Sequence, residues 1–133
     1  MINSIKYSDA VKAIVFDEPI PEYYNLLIKA RTDKKNPLRK NYTVDSLSRC
    51  HFMVIFCVHN KPAHLFGLEN LNVPGVARAM FRMYSDIAYK GSVNMKLIFN
   101  FHQHWPLHKQ YNIDTLFFTR NYNEYKTKWF DLT

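Results

Sequence analysis

The chain has 133 residues, of which 47% are hydrophobic and 16% aromatic, and its formal net charge is +7. This hydrophobic content excludes an intrinsically disordered protein. The length predicts a single domain over residues 1–133, with a core that needs no metal or disulfide. The positive charge permits nucleic acid, an anionic cofactor or an acidic protein as a partner, and it does not choose among them.

The amino-terminal residues and the cysteines indicate the cellular compartment. Residues 1–19 are polar at intervals and lack the long apolar core of a signal peptide. No apolar stretch approaches the roughly 20 residues that span a bilayer, so no membrane partner is expected. Cys50 and Cys57 lie in or beside an apolar run, which favours reduced thiols over a disulfide framework. Together these features predict a cytoplasmic protein.

Turn signals and helical spacing predict the first elements. A short strand is expected at residues 5–7, and Ser8 is expected to cap a brief helix or a turn before the segment AVKAIVF. Pro21 favours the first turn of a helix that continues as EYYNLLIKAR. The positions that this helix is predicted to bury are Tyr23, Leu26, Leu27 and Ala30.

Residues 29–40 contain six basic residues and one acidic residue, and Asn36-Pro37 favours a turn. The segment is predicted to be a basic loop after the first helix. Such a segment is either a solvated connector with no further role or a surface that binds a partner. Residues 42–48 fit either a short helix or the beginning of a strand.

Three consecutive antiparallel strands are predicted next. Residues 52–58 form a continuous apolar run rich in branched and aromatic side chains, which predicts a strand covered on both faces. Residues 59–62 indicate a hairpin turn, so that HLFGLENL returns as the second strand. A second turn at residues 72–75 leads into the third strand, whose side chains alternate from Val76 to Tyr84.

After Gly91 the hydrophobic spacing changes from two to four, which predicts a helix over residues 92–105 that Pro106 ends. A strand that enters a helix through a glycine turn is a general arrangement for binding an anion, because the first helical N–H groups are unpaired. Residues 113–119 predict a further strand, and a strand–helix–strand unit predicts a parallel pair. The polar, aromatic tail from Arg120 is expected to form a short helix and an extension.

The predicted fold class is α/β with a mixed α+β sheet, in the order (β)α–β–β–β–α–β–α. This order, with its glycine turn, resembles the GNAT acetyltransferase fold over about residues 3–130. In that family the strand before the turn diverges from its neighbour and pairs with the pantetheine arm of acetyl-CoA. The turn and the helix N-terminus hold the pyrophosphate.

The turn here is similar to the family pattern Arg/Gln-x-x-Gly-x-Gly/Ala at Gly91 and at the neighbouring Lys90. The resemblance therefore implies acetyl-CoA as the cofactor. It implies binding residues at the end of the third strand, in the turn and after the fourth strand. These residues are Met83, Tyr84, Ser85, Lys90, Gly91, Ser92, Val93 and Asn123, with Asn121 as the alternative to Asn123.

The resemblance also implies groups for acyl transfer from a thioester to an amine. A backbone N–H on the diverging strand polarises the thioester carbonyl, a base takes the proton of the amine, and an acid protonates the leaving thiolate. Glu69 is the candidate base, with Asp86 as the alternative, and Tyr125 is the candidate acid, with Tyr122 as its alternative. The plainer interpretation of Glu69 is an ion pair with Arg78 or Arg82.

Histidines near the end of the predicted helix raise the question of a metal. His102 and His104 point about 200° apart on a regular helix and cannot chelate one ion. His104 and His108 are four apart, but no third ligand has a matching spacing. A cluster favoured by the helix dipole explains these residues better, so no metal is predicted.

Three functions follow from these observations. The first is an N-acyltransferase that uses acetyl-CoA and an amine acceptor, with residues 29–40 at the acceptor site. The second is a catalytically inactive GNAT-like scaffold that acts as a virion component or binds a host protein. For both functions the resemblance implies a protein that a phage encodes. The third is a basic nucleic-acid-binding domain, in which residues 29–40 and Tyr42 supply charge and stacking.

Overall fold

A computed structural model describes residues 2–6, 8–36, 39–85, 111–120 and 123–128. Within these residues seven strands form one mixed sheet whose strand order follows the chain. Neighbouring strands are antiparallel except for the fifth and sixth, which are parallel. The strands are β1 (Ile2–Lys6), β2 (Val11–Phe16), β3 (Cys50–Val58), β4 (Lys61–Asn70), β5 (Val76–Ser85), β6 (Thr115–Arg120) and β7 (Asn123–Lys128).

One α-helix, α1 (Pro21–Thr32), follows β2 in the chain. Two short 3-10 helices, Arg39–Asn41 and Val44–Arg49, come between α1 and β3. The helix begins at Pro21 as predicted. The four residues predicted to face the core are buried, which confirms the helical spacing. Hydrogen bonds also fix the side chain of Tyr23, because its hydroxyl donates to the carbonyl oxygens of Thr43 (3.2 Å) and Val44 (3.4 Å).

The turns between β1 and β2 and between β3 and β4 have the chemistry that their residues indicate. The Ser8 hydroxyl accepts hydrogen bonds from the backbone N–H groups of Ala10 (3.3 Å) and Val11 (3.0 Å), so the turn forms and the brief helix does not. His59 and Asn60 have φ of 49° and 65°. Left-handed conformation at two consecutive residues is typical of the tight turns that suit the twist of a hairpin.

The sheet buries side chains on both faces of β3 and β4, as the continuous apolar run predicts. We call the side that α1 covers the helix face. Its core includes Phe16, Met53, Ile55 and Leu65 together with the buried side chains of α1. Gly67 also lies on the helix face, where an added Cβ would lie 3.1 Å from Cys50 Sγ and 3.2 Å from Met53 Cγ. The opposite face carries Phe52, Val54, Phe56, Phe66 and Leu68, all fully buried.

The structure corrects two expectations about local structure and decides a third that the sequence left open. The predicted basic loop 29–40 begins inside the helix, since α1 continues to Thr32. The ambiguous residues after Tyr42 form a 3-10 helix, Val44–Arg49. The helix expected in the carboxyl-terminal tail is wrong, because Asn123–Lys128 is a strand paired antiparallel with β6.

The strand β7 has a physical explanation. It follows β6 after two residues in sequence and pairs with it along its whole length, from Asn123 with Arg120 to Lys128 with Thr115. The edge of β6 therefore supplies partners for backbone groups of the tail. The helix predicted over residues 92–105 lies outside the described residues. In the part of the chain that the structure describes, no helix is long and apolar enough to cross a membrane.

Candidate functional site

The parallel pair β5–β6 is predicted from the sequence and is present, but its ladder is short. The paired residues are Val76 with Thr115, Ala77 with Leu116, and Arg78 with Phe117. Beyond Arg78 the strand β5 continues to residue 85, and β6 continues to residue 120, with no further pairing between them. The edge of β5 that faces β6 therefore has no partner among the described strands over residues 79–85.

The closed end of this pair is held by Gly75. Its carbonyl oxygen accepts hydrogen bonds from the backbone N–H groups of Asp114 (2.9 Å) and Thr115 (3.0 Å). Gly75 has φ of 76°, a conformation that glycine adopts without the steric penalty of a side chain. The strands are thus anchored at their amino-terminal ends, and the ladder is interrupted toward their carboxyl ends, where open sheets generally bind ligands.

A bulge interrupts β5 on its other side, in the pairing with β4. Leu65 pairs with Tyr84 and Gly67 pairs with Met80, so Phe66 alone faces β5 residues 81–83. One residue offers one N–H and one C=O, whereas the three residues opposite carry three of each. Backbone groups in this stretch are therefore turned out of the ladder, next to the candidate residues Met83 and Tyr84.

Glu69 and Arg78 form a pair on β4 and β5. They are opposite each other in the register, and Arg78 Nη1 donates to Glu69 Oε1 at 2.9 Å. The side chains are 20% and 39% exposed, so the pair lies at the boundary of core and solvent. The ion pair expected as the plainer interpretation of Glu69 is confirmed. Since Leu65 and Gly67 belong to the helix face, alternation along β4 puts Glu69 on that face as well.

Cys50 lies opposite Glu69 on β3, so the row continues across three strands. Burial, followed by the negative charge of Glu69, raises the pKa of the Cys50 thiol to about 12, against the weaker opposite effect of Arg49. Burial raises the pKa of Cys57 to about 11. Both side chains are therefore neutral thiols at neutral pH and poor nucleophiles. Among the described residues, no group of three potential ligands is placed to hold a metal ion.

The remaining candidate residues divide into those that the structure describes and those outside it. The backbone of residues 83–85 forms the last part of β5, in the stretch without a β6 partner. Asn123 pairs with Arg120 at the carboxyl end of β6, and Tyr125 pairs with Phe118, one residue past the last β5–β6 pair. The predicted turn residues Lys90, Gly91, Ser92 and Val93, the alternative base Asp86 and the three clustered histidines lie outside the described residues.

A polar cluster on β3 was not predicted from the sequence. His51 is the extra residue in a bulge, because Cys50 pairs with Glu69 and Phe52 pairs with Leu68. Its ring centroid lies 6.1 Å from that of Tyr111, and its Nε2 is buried with no hydrogen-bond partner among the described residues. Burial lowers the pKa of His51, and a backbone hydrogen bond with Val76 opposes the shift.

Tyr111 connects this cluster to the end of β2. Its hydroxyl donates to Asp17 Oδ2 at 3.3 Å, and its ring packs against Phe52 with centroids 5.0 Å apart. Burial and the charge of Asp17 raise the pKa of Tyr111 to about 12. The only sequence signal for the cluster is a histidine beside an apolar strand, which does not distinguish a bulge from an ordinary position.

The chain is similar in structure to a known protein, whereas the comparisons by sequence find no match. No family model matches the chain, and no curated protein matches it. Among solved structures it is similar to an acetyl transferase from Salmonella typhimurium that modifies the N-terminal serine of 50S ribosomal subunit protein L7/L12. The TM-score is 0.51 at 14% identity, over 87% of this chain and 74% of that one. The chain therefore has an acetyltransferase-like α+β fold, as the resemblance predicted.

Proposed function

We propose that this protein is an acyl-CoA-dependent N-acyltransferase that moves an acetyl group from acetyl-CoA to an amine. The observation that carries the proposal is the β5–β6 ladder, which ends at Arg78 and Phe117 although both strands continue. In an acetyltransferase-like fold, the unpaired edge of β5 offers backbone donors and acceptors to an extended pantetheine arm.

The thioester carbonyl is proposed to bind at the β5 bulge. Residues 81–83 carry more backbone N–H groups than Phe66 can accept, and a donor held in place there stabilises the oxyanion as it forms. We assign the contact to the backbone at Met83 or Tyr84. Residues Ser85, Lys90, Gly91, Ser92, Val93 and Asn123 are proposed to bind the remainder of the cofactor, with the pyrophosphate at the glycine turn.

Glu69 is proposed as the base and Tyr125 as the acid. The carboxylate takes the proton of the acceptor amine, directly or through water, as the nitrogen attacks the thioester carbon. The C–S bond then breaks, and the tyrosine hydroxyl donates its proton to the leaving thiolate. Arg78 is proposed as a positioning residue, because its hydrogen bond fixes one oxygen of Glu69 and leaves the other for the proton.

Calorimetry with acetyl-CoA tests the proposal directly. We expect binding with micromolar affinity, and the release of free CoA when a mixture of amines is added. Gly91→Trp is expected to abolish binding without changing the melting temperature, and Val73→Trp, at an exposed position between β4 and β5, serves as the size-matched control. An absence of heat at millimolar acetyl-CoA in a folded sample contradicts the proposal.

A second candidate is a scaffold with this fold and no catalysis, which binds a protein of its host or forms part of a virion. The specific observation in its favour is the 2.9 Å contact of Arg78 with Glu69, since a carboxylate held in an ion pair needs no catalytic role. Acetyl-CoA binding without turnover, together with a stoichiometric protein partner in pull-downs, is the result expected of the scaffold.

A further inference from the structure

A group of basic side chains lies in the last turn of α1 and in the segment that follows it. It consists of Arg31, Lys34, Lys35, Arg39 and Lys40, and we call it the basic turn. All five side chains are exposed. Because charged side chains at a surface attract partners of opposite charge over a distance of about 8 Å at physiological salt, such a group can steer an anionic partner to this part of the surface.

Hydrogen bonds order the backbone of the basic turn. The buried Asn36 side chain donates through Nδ2 to the carbonyl oxygen of Ala30 at 2.9 Å, which ties the turn to the core side of the helix. Asp33 Oδ1 accepts from the backbone N–H of Lys35 at 2.9 Å, and the N–H of Arg39 donates to the Asn36 carbonyl oxygen at 3.2 Å. Lys34 and Lys35 are therefore presented on a hydrogen-bonded backbone, which lowers the entropy lost on binding.

Three of the five cations in the basic turn, those of Lys34, Lys35 and Lys40, form no salt bridge with any residue that the structure describes. The nearest carboxylate in sequence, that of Asp33, accepts a backbone hydrogen bond within the turn. Like charges this close together repel one another, and an anionic partner relieves that repulsion.

Two exposed apolar side chains lie next to the basic turn on α1. Ile28 is 61% exposed and Tyr24 is 44% exposed. They are four residues apart on a helix and therefore neighbours on one face. One helical turn separates Ile28 from Arg31 and Thr32, so apolar and basic surfaces follow each other along the helix.

We propose that the basic turn, with Tyr24 and Ile28, docks an acidic segment of a polypeptide whose amine is the acyl acceptor. The term acceptor rests on the function proposed above, whereas the docking surface itself does not. An alternation of carboxylates and apolar side chains fits both parts of the surface, because carboxylates pair with the five cations and apolar side chains cover Ile28 and Tyr24.

The position of α1 connects this surface to the candidate base. α1 covers the helix face, on which Glu69 also lies, and it contacts β4. Cys50, opposite Glu69, packs against the same core cluster as Tyr23 near the beginning of α1. A helix of 12 residues is about 18 Å long, so an extended segment of about six residues spans it from the basic turn to its first turn.

Nucleic acid is the less favoured partner of the basic turn. Single-strand binders stack bases on exposed aromatic side chains beside their cations. Tyr42, the aromatic residue that follows the turn, is only 6% exposed and belongs to the core. Tyr24 is the one exposed aromatic side chain of α1, and a single ring can stack on no more than one base at a time.

Fluorescence anisotropy in the absence of acetyl-CoA tests the docking surface. The probe is a peptide with a free N-terminus, a six-residue Gly/Ser spacer, an eight-residue Glu/Leu stretch and a C-terminal fluorescein. We expect Lys34→Gln/Lys35→Gln to weaken binding at least about threefold, and Ile28→Ser to weaken it as well. The matched control is Lys6→Gln/Lys12→Gln, which removes the same charge from β1 and β2 and is expected to leave affinity within a factor of about two.

Three outcomes overturn the proposal. They are equal affinities for the two double variants, equal binding of a peptide with Gln in place of Glu, and tighter binding of a single-stranded oligonucleotide than of the acidic peptide. The peptide assay contains no cofactor, so it tests the docking surface separately from the acyltransferase function. If the peptide binds but acetyl-CoA does not, the acyltransferase function is contradicted and the docking surface stands. If acetyl-CoA is turned over but the peptide does not bind, the docking surface is contradicted and the acyltransferase function stands.

Discussion

Glu69 and Arg78 face each other across β4 and β5, with 2.9 Å between Glu69 Oε1 and Arg78 Nη1. Arg78 is also the last residue of β5 that pairs with β6. One residue therefore contacts the candidate base and marks the point at which the parallel ladder ends. The pair is partly exposed, so its direct contribution to the free energy of unfolding is at most about 1 kcal/mol. Its position at the end of the ladder is consequently more informative than its strength.

Glu69→Gln is the first prediction. The amide oxygen keeps the hydrogen bond to Arg78, but it cannot take a proton, so kcat for acetyl transfer is expected to fall at least about 100-fold. Acetyl-CoA affinity and the melting temperature are expected to stay near those of the wild type. Steady-state kinetics and calorimetry measure these quantities, with the exposed Glu18→Gln as the charge-matched control. Unchanged kcat in Glu69→Gln shows that the carboxylate is only an ion-pair partner.

The ion pair between Glu69 and Arg78 could be predicted, because the two residues are equally far from the turn at residues 72–75. A hairpin with a short turn fixes the register of its strands, so residues at equal distance from the turn pair. The buried stripe of α1 and the strand β3 were also predictable, since burial imposes a period of 3.6 on a helix and a continuous apolar run on a strand covered on both faces.

Other features depend on partners distant in sequence. The bulge at residues 81–83 is set by the pairing of β5 with β4, and Gly67 within β4 is the one local signal of it. The polarity of the tail after Arg120 concealed a strand, which pairs with the edge of β6. The end of the ladder at Arg78 depends on how β5 and β6 meet in space, and no short sequence pattern records it.

The thiols provide a second prediction. Cys50 and Cys57 have pKa values raised to about 12 and 11, whereas the thiols of the unfolded chain ionise near 9. The thiolate fraction falls tenfold for each unit, so alkylation by iodoacetamide at pH 8 is expected to be about 100-fold slower or more in the native protein than in urea. Mass spectrometry over a time course measures both rates. Native alkylation of Cys50 at the rate seen in urea contradicts the burial described here.

Gly75 provides a third prediction, on stability. Its φ of 76° favours glycine, and an added Cβ would lie 3.2 Å from Asp114 Oδ1. Gly75→Ala is expected to lower the free energy of unfolding by about 1–2 kcal/mol, because alanine is strained in the left-handed region. Gly75→Asn is the matched comparison and is expected to be less destabilising, since asparagine tolerates that conformation. Urea denaturation measures both, and equal losses in the two variants argue against a conformational cause.

The fourth prediction concerns His51 and acid. Its folded-state pKa is lowered by burial, so the unfolded chain binds a proton at a higher pH than the native protein does. Stability is therefore complete above the unfolded pKa of about 6.5 and falls as the pH decreases through that value. His51→Gln is expected to flatten the dependence of unfolding free energy on pH between about 7 and 5. His59→Asn, at the exposed hairpin turn, serves as the control. Urea titrations at several pH values measure the slopes, and a slope in His51→Gln as steep as that of the wild type excludes His51 as the titrating group.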